Sequence, residues 1–245
     1  MIIDGKQASM IDSAITYESG IKWKSANRRV EGIDYGSEAD HLSAKISTWG
    51  TVEEIAEFRA ALPEVASCKE ITFGKGEKPF GPAFDCEGSA EYLVTDIDDL
   101  ITEDKGIAQM AFQIAVAPTS LVPAYADIAF DLANFAVQEV KRTSEESKSV
   151  SQKESGWSAF RHGWNRPEFT LSLLASSRIM GGTITWLMKI RTTRFSIECN
   201  NSMILINGQN EELACVSFGN LRRLGNSDIW QADFNFVRTG NASNL

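Results

Sequence analysis

The sequence predicts a mainly β protein with short helices (α+β), built as two tandem β-sandwich modules that each carry one flanking helix. The first observation is internal repetition: residues 42–117 read as strand, short helix, strand and two longer strands, and residues 168–238 read in the same order. The second is the alternation of apolar and polar residues along these segments, which is typical of half-buried strands. An internal repeat determines the architecture of a whole chain, so it is stronger evidence for the fold than any single motif. We expect a first module at 1–120 and a second at 121–245.

Composition limits the classes of function. The chain has 245 residues, of which 43% are hydrophobic and 23% charged, as in an ordinary globular protein. Its net charge of −9 argues against nucleic acid as a bound ligand, which requires many Lys and Arg contacts to phosphate. An acidic wall would still let DNA slide past without holding it. No secretion signal and no apolar stretch of membrane-spanning length is recognised, so we expect synthesis in the cytoplasm and no membrane insertion.

The N-terminal part of the first module is predicted to be an arm followed by a hairpin. Residues 1–18 are weakly patterned and are expected to form an arm or an edge strand. Residues 21–24 alternate between apolar and charged, and a polar turn at 25–29 leads to a return strand through 30–36.

A strand and a helix form the centre of the first module. Residues 42–49 alternate in polarity, and Gly50 breaks the strand. Thr51 and Glu54 have the spacing of a capping box, in which each side chain bonds the other residue's backbone N–H. The helix that follows carries apolar residues at helical spacing, namely Ile55, Phe58 and Leu62. It is predicted to end at Pro63.

The rest of the first module and the connection are less regular. Four segments are predicted as strand (70–73), loop (74–82), strand (84–86) and closing strand (110–116). The acidic residues between the last two are read as a turn: Asp96, Asp98, Asp99, Glu103 and Asp104. Residues 118–134 are apolar and are assigned neither helix nor strand. Residues 137–153 are too polar for a core, and form either a flexible linker or a long projecting hairpin; their alternation favours the hairpin.

The second module follows the same order. Its strand at 168–174 leads to a helix capped by Ser176 or Ser177. The apolar helix positions are Met180, Ile184, Leu187 and Met188. Gly181 and Gly182 weaken this helix by ~1 kcal/mol each, so it depends on tertiary packing. The later segments are predicted as strands at 193–199, 213–218 and 229–237, with a turn at 206–210 and a bend at 221–228.

No catalytic, cofactor-binding or metal site is predicted, and the protein is expected not to be an enzyme. His41 and His162 lie before core strands, away from any nucleophile motif, and read as loop histidines. The cysteines lack zinc-site spacing and are expected in core strands: Cys68, Cys86, Cys199 and Cys215. The acidic cluster lacks the ligand order of an EF-hand, and Gly74-Lys75-Gly76 lacks the ending of a P-loop.

Six tryptophans leave a binding alternative open. Most lie at predicted strand ends: Trp23, Trp49, Trp157, Trp164 and Trp230. They are expected to anchor sandwich edges or to contact a neighbouring subunit. The alternative is a carbohydrate- or receptor-binding β-sandwich that exposes them.

The repeated unit resembles the tail-tube module of tailed bacteriophages. The resemblance is carried by the strand at 42–49, the capped helix at 51–62 and the closing strand at 112–116, with a second copy at 169–174, 177–190, 193–199 and 229–237. It covers about two thirds of the chain and rests on order and spacing without a signature motif. The same module occurs in tube, minor tail, distal tail and baseplate hub proteins.

The resemblance implies a structural protein of the virion tail, assembled in the host cytoplasm. Such a protein would form a ring at the distal end of the tail tube, join the tube to the tip or baseplate and line the DNA channel. Its partners would be itself, as a trimeric pseudo-hexamer or a hexamer, the neighbouring tail tube and tip or hub proteins, and double-stranded DNA only as passing cargo. Long hairpins would reach the next ring. The clustered C-terminal cysteines of iron–sulfur hub relatives are missing, so no cofactor is expected.

The two copies also differ in charge. The second has basic residues where the first is acidic: Arg191, Arg194, Arg222 and Arg223. Modules of opposite sign could alternate around a ring. On this hypothesis, reversing Arg222 and Arg223 to Glu disrupts assembly and leaves the monomer folded.

Overall fold

The structure, a computed structural model, describes residues 1–26, 29–35, 40–143, 146–149, 161–164, 168–190, 195–197 and 211–238. Its strands are β1 (Ile2–Ile3), β2 (Lys6–Gln7), β3 (Ser9–Glu18), β4 (Ile21–Ala26), β5 (Arg29–Tyr35), β6 (His41–Thr51), β7 (Ser67–Phe73), β8 (Phe84–Asp85), β9 (Gly88–Asp104), β10 (Ile107–Val116), β11 (Val122–Pro123), β12 (Ala136–Thr143), β13 (Glu146–Ser149), β14 (Arg161–Trp164), β15 (Glu168–Ser176), β16 (Phe195–Ile197), β17 (Glu211–Arg223) and β18 (Ile229–Arg238). Its α-helices are α1 (Val52–Ala61) and α2 (Ser177–Lys189).

One large antiparallel sheet dominates the molecule. Its strands lie in the order β12-β15-β18-β17-β3-β6-β10-β9-β7-β1-β2, and β16 also pairs with β17. Three two-stranded sheets accompany it within the described ranges: β4–β5, β13–β14 and β8–β11. The predicted class, mainly β with short helices, is confirmed.

The sheet contains the same five-strand arrangement twice. In the first half the order is β3-β6-β10-β9-β7, with α1 between β6 and β7 along the chain. In the second half it is β12-β15-β18-β17-β16, with α2 between β15 and β16. Each half also inserts a hairpin between its first two strands, β4–β5 in one and β13–β14 in the other. We use "first module" and "second module" for these two sets of strands.

The repetition extends to the register irregularities. Strand β3 slips against β6 between Met10 and Asp12, and β12 slips against β15 between Val137 and Glu139. Strand β10 slips against β9 next to Ala111, and β18 slips against β17 next to Asp233. The bulges of β3 and β12 each insert one residue, whereas β9 inserts two residues against β10 and β17 inserts one against β18. A bulge bends its strand and increases the local twist, so the two modules change direction at the same places.

A core lies on one face of the sheet. The helices and the irregular stretch at 118–135 cover that face, and one continuous cluster of buried side chains spans both modules. The largest fully buried aromatic side chains are Phe58, Phe73, Phe80, Phe112, Phe218, Phe234 and Phe236. Burial of apolar area on this scale is the main favourable term in folding.

Both predicted helices form. The capping box of α1 is present: Glu54 N–H donates to Thr51 Oγ1 at 3.2 Å, and Thr51 N–H donates to Glu54 Oε2 at 2.8 Å. The helix ends at Leu62, before Pro63, as predicted. In α2 the N-cap is Ser176, whose side chain makes no capping hydrogen bond.

Several sequence predictions were wrong in detail. Residues 9–18 form β3, a central strand, although 1–18 were expected to be an arm or edge. Of the turn predicted at 96–100 and 103–106, only Lys105 and Gly106 turn the chain, and the acidic residues before them are part of β9. Strand β17 runs to Arg223, so the predicted bend begins later, at 224.

The structure also shows which elements are formed by the connection at 118–134 and by the polar segment at 137–153. Residues 118–134 contain two 3-10 turns, at 118–120 and 132–134, and the short strand β11. The hairpin predicted over 137–153 is wrong in its bounds, because 137–143 belong to β12 of the large sheet. A hairpin does follow, but it pairs β13 (146–149) with β14 (161–164). The turn predicted at 206–210 lies outside the described residues.

Candidate functional surface: an uncovered sheet face and two free edges

The face of the sheet opposite the core is polar in both modules. Side chains of a strand alternate between the two faces, so the registers show which residues share this uncovered face. On β6 it is formed by exposed and half-buried residues that alternate with buried ones: His41, Ser43, Lys45, Ser47, Trp49 and Thr51. We call this surface the open face.

In the second module the open face is tied together by hydrogen bonds between neighbouring strands. Thr170 Oγ1 donates to Asn235 Oδ1 at 2.7 Å, and Asn235 Nδ2 donates to Ser217 Oγ at 2.8 Å. A second row joins Ser172 Oγ to Asp233 Oδ1 at 2.5 Å. The residues pair across β15, β18 and β17, so the polar side chains satisfy one another along the sheet.

In the first module the open face is acidic. Carboxylates outnumber basic residues among the strand positions whose register places them there. The acidic positions are Asp12, Glu18, Glu70, Glu91, Asp96, Asp98 and Asp104. The basic partner among them is Lys45, whose Nζ lies 3.9 Å from Asp98 Oδ2. A surface of this sign repels phosphate.

The two modules meet through β17 and β3. The paired residues are Ser217 with Glu18, Phe218 with Tyr17, and Leu221 with Ile15. The rings of Tyr17 and Phe218 stack with centroids 5.2 Å apart, and Phe218 also lies 6.0 Å from Phe234. We call this pairing the internal junction. It fuses the two cores into one.

Tyr17 anchors the internal junction with a hydrogen bond as well as a ring contact. Its hydroxyl donates to Asp40 Oδ2 at 3.1 Å, and Asp40 Oδ1 accepts from Gly20 N–H at 2.9 Å. Burial and the Asp40 carboxylate both raise the pKa of Tyr17 above its usual value. The phenol therefore stays a neutral donor over the whole physiological range.

Several strands have a partner on one side only among the described residues, including the short strands β2 and β16 and most of β7. Two of these open edges, on β9 and β12, are long. Strand β9 pairs with β7 only from Gly88 to Val94, so the stretch 95–104 has β10 on one side and no strand on the other. Strand β12 pairs with β15 alone. Unpaired edges present backbone N–H and C=O groups that can accept another strand. These edges are the counterparts of the strands that form the internal junction.

A groove of about 570 Å³ opens beside the internal junction. It is lined by residues of both modules, among them Asp12, Lys78, Tyr125, Arg223 and Asp228. The guanidinium of Arg223 is already engaged, because its Nε donates to the carbonyl oxygen of Ser227 at 2.6 Å. The sheet surface extends over both modules and is the stronger candidate.

The residues considered for chemistry do not converge on one site. His41 opens β6, rather than lying in a loop, with Nε2 3.4 Å from Glu18 Oε2, and His162 lies in β14. Among the described residues no group of three or more His, Cys, Asp or Glu is placed to hold a metal ion. The Gly74 amide, in the glycine-rich loop, donates to Glu77 Oε2 at 2.6 Å. Its donor is therefore used within the loop.

The cysteines occupy different environments. Cys86 is buried, Cys215 is half-buried and Cys68 is exposed. The expected core position is therefore wrong for Cys68, which lies on the open face of β7, opposite Leu93. Burial raises the pKa of the Cys86 thiol from 9.0 to about 11, with a further contribution from Asp85. Burial raises that of Cys215 to about 12. Cys199 lies outside the described residues.

Arg222 and Arg223 lie beside the internal junction, on the last residues of β17. Their strand is therefore already paired within the chain and does not offer the free edge that the charge hypothesis required. The unpaired edges carry other charges, on β9 and β12. Arg191 and Arg194 lie outside the described residues.

No family model matches the sequence, and no curated protein matches it. Within the described part of the chain, no helix has the length and apolar character needed to cross a membrane.

Proposed function

We propose that the protein is a non-enzymatic structural component of a phage tail, which forms a ring at the distal end of the tail tube, joins the tube to the tip or baseplate and lines the DNA channel. One observation carries the proposal. The chain is two equivalent modules joined edge to edge in one sheet, with one covered face and an unpaired edge at each module's outer side.

Such an arrangement favours closure into a ring. The internal junction joins the β17 side of one module to the β3 side of the other, which is a head-to-tail contact between unlike edges. A head-to-tail contact repeated between copies generates a ring when its rotation closes. With two modules in each chain, three chains supply six modules and six chains supply twelve.

The open face suits the inner wall of such a ring. The core and helices lie on the opposite face, where they would form the outer layer. The polar and acidic open face would then line the channel and repel the phosphates of passing DNA, which prevents the duplex from adhering. Tail tube and tip or hub proteins would stack on the two ends of the ring, with the β4–β5 and β13–β14 hairpins at one end.

Negative-stain electron microscopy of the purified protein tests the proposal. We expect rings with an open centre, and no retention of double-stranded DNA in a mobility assay at low salt. Only small particles without a central opening, at every concentration, would contradict it. Tight DNA binding would contradict the assignment of the open face to a channel wall.

The alternative is a carbohydrate- or receptor-binding protein. One observation favours it: Trp49 lies on the open face with 45% of its surface exposed. Aromatic rings of this kind stack on apolar sugar faces. Trp230, by contrast, is buried at 5% exposure and serves the core. Binding to a glycan array that is lost in Trp49→Ala would establish this alternative in place of the ring.

A further inference from the structure

The two sides of the internal junction differ in charge. Directly after the residues that pair with β3, β17 ends in two basic residues, Arg222 and Arg223. Its two carboxylates, Glu211 and Glu212, lie at the other end, where β17 pairs with β16. Strand β3 carries two acidic residues, Asp12 and Glu18, and no basic one. A basic edge therefore meets an acidic edge inside the chain.

The free edges carry the reverse charges. The unpaired stretch of β9 contains five carboxylates and no basic residue: Asp96, Asp98, Asp99, Glu103 and Asp104. Strand β12 contains Lys141 and Arg142 beside a single carboxylate, Glu139. Lys141 Nζ lies 3.0 Å from Glu139 Oε2, and the formal charge of the strand sequence is +1. An acidic edge and a basic edge are thus both left open.

We propose that β9 of one subunit pairs with β12 of a second copy of this chain, and that the reversed charge of this external junction fixes the order of modules. The inference rests on the ring proposed above and names the strands that build it. Complementary charge favours β9 with β12. Like charges disfavour the wrong pairings of β9 with β9, of β9 with β3, and of β12 with β17.

The shared bulges predict the register of the external junction. Gln109 faces Thr102 and the equivalent Gln231 faces Arg222. The β9 bulge that follows is one residue longer than the β17 bulge, so we count from Thr102 and Arg222, the side adjacent to Leu221, and Ile101 then corresponds to Leu221. Ala44 and Phe169 are equivalent, because each lies the same distance before the N-cap of its helix, Thr51 or Ser176. In the sheet, Ala44 is paired with Ile15 and Phe169 with Arg142, so Ile15 and Arg142 are equivalent as well. Because Leu221 pairs with Ile15 in the internal junction, Ile101 is predicted to pair with Arg142 of the next subunit.

Charge reversal tests the proposal. Lys141→Glu with Arg142→Glu makes β12 acidic, and Asp99→Lys with Glu103→Lys makes β9 basic on either side of Ile101. Each pair alone is expected to lower the assembled fraction at least tenfold in sedimentation velocity. All four substitutions together restore complementarity and are expected to restore assembly. Glu53→Lys with Glu64→Lys, at exposed positions in and after α1, changes the net charge by the same amount and sign as the β9 pair and is expected to leave assembly intact.

The outcomes separate this inference from the proposed function. If the unsubstituted protein assembles and both pair variants assemble equally well, the β9–β12 junction is wrong and the ring is built by other surfaces. Loss of assembly in the pair variants without recovery in the fourfold variant also overturns the proposal. If the unsubstituted protein stays monomeric, the ring itself is wrong.

A cross-link covers the case in which a charge variant does not fold. Paired strands bring opposite Cα atoms to about 4.5–5.5 Å, within reach of a disulfide. In a Cys68→Ser background, Ile101→Cys with Arg142→Cys is expected to give covalent multimers on a non-reducing gel under mild oxidation. The matched control combines Ile101→Cys with Glu64→Cys, at an exposed position outside β12. Equal multimer yield from both proteins, or none from the first, would refute the register.

Discussion

Gly181 and Gly182 matter in α2 because neither carries a side chain. A Cβ at Gly181 would lie 2.7 Å from the Pro82 carbonyl oxygen, and one at Gly182 would lie 2.7 Å from that of Ala126. The connection between the modules also bonds here, since Ile128 N–H donates to the Gly182 carbonyl oxygen at 3.0 Å. The two glycines lower the helix propensity of α2, but they allow the backbone of the connection to pack closely against the helix.

Replacing Gly182 by alanine tests this close approach. Alanine raises helix propensity by about 1 kcal/mol, but overpacking against backbone costs about 1–3 kcal/mol. Because Ala126 presents a backbone oxygen that cannot rotate away, we expect the overpacking cost to exceed the gain in propensity, so that Gly182→Ala lowers the free energy of unfolding by up to about 2 kcal/mol in urea titration. Gly74→Ala is the control, since its new methyl would meet only the Glu77 side chain at 3.5 Å or more. A stabilised Gly182→Ala protein would disprove the steric explanation.

The buried thiol of Cys86 predicts a loss of stability at alkaline pH. Its folded pKa of about 11 exceeds the unfolded value of 9.0, so the folded state keeps a proton that the unfolded state releases. The stabilisation is complete below pH 9 and is lost as pH rises through 11. We expect this thiol to contribute a decrease of about 1 kcal/mol between pH 8 and 10, measured by urea unfolding. Cys86→Ala should show a shallower decrease; an identical one would contradict the assignment.

At the scale of elements, the two helices begin in different ways. Thr51 satisfies a backbone donor at the start of α1, whereas the Ser176 hydroxyl makes no such bond in α2. Removing an N-cap hydrogen bond costs about 1 kcal/mol. We therefore expect Thr51→Ala to lower the free energy of unfolding by that amount and Ser176→Ala to change it by less than about half as much, as measured by chemical denaturation. Equal losses would show that α2 depends on its cap.

Strand β9 shows where sequence patterns succeed and fail for an element. Its acidic residues resemble a turn, yet Asp96 and Asp98 are paired with Gln113 and Ala111 on the open face, and Ile97 faces Phe112 on the core side. The bulges beside Gln113 and Ala111 shift the period of two, which hides the strand. The capping box of α1, by contrast, needs only residues three apart and was predicted in full.

At the scale of the molecule, the order of elements was predictable and the way the modules join was not. Repetition of strand, helix and strands is readable along the chain. The internal junction pairs Leu221 with Ile15, residues at opposite ends of the sequence, and no local pattern encodes that choice. The open face was predictable only in part. The alternation at 42–49 indicates its polar residues on one strand, but its continuity across both modules depends on the internal junction.

The native mass of the assembled protein tests the central claim most directly. We expect light scattering coupled to size-exclusion chromatography to give a closed species of three or six chains of 27.0 kDa, with no ladder of intermediate sizes at high concentration. A ring with saturated edges stops growing, because no free β9 or β12 edge remains. A protein that stays monomeric or dimeric from micromolar to millimolar concentration would contradict the account.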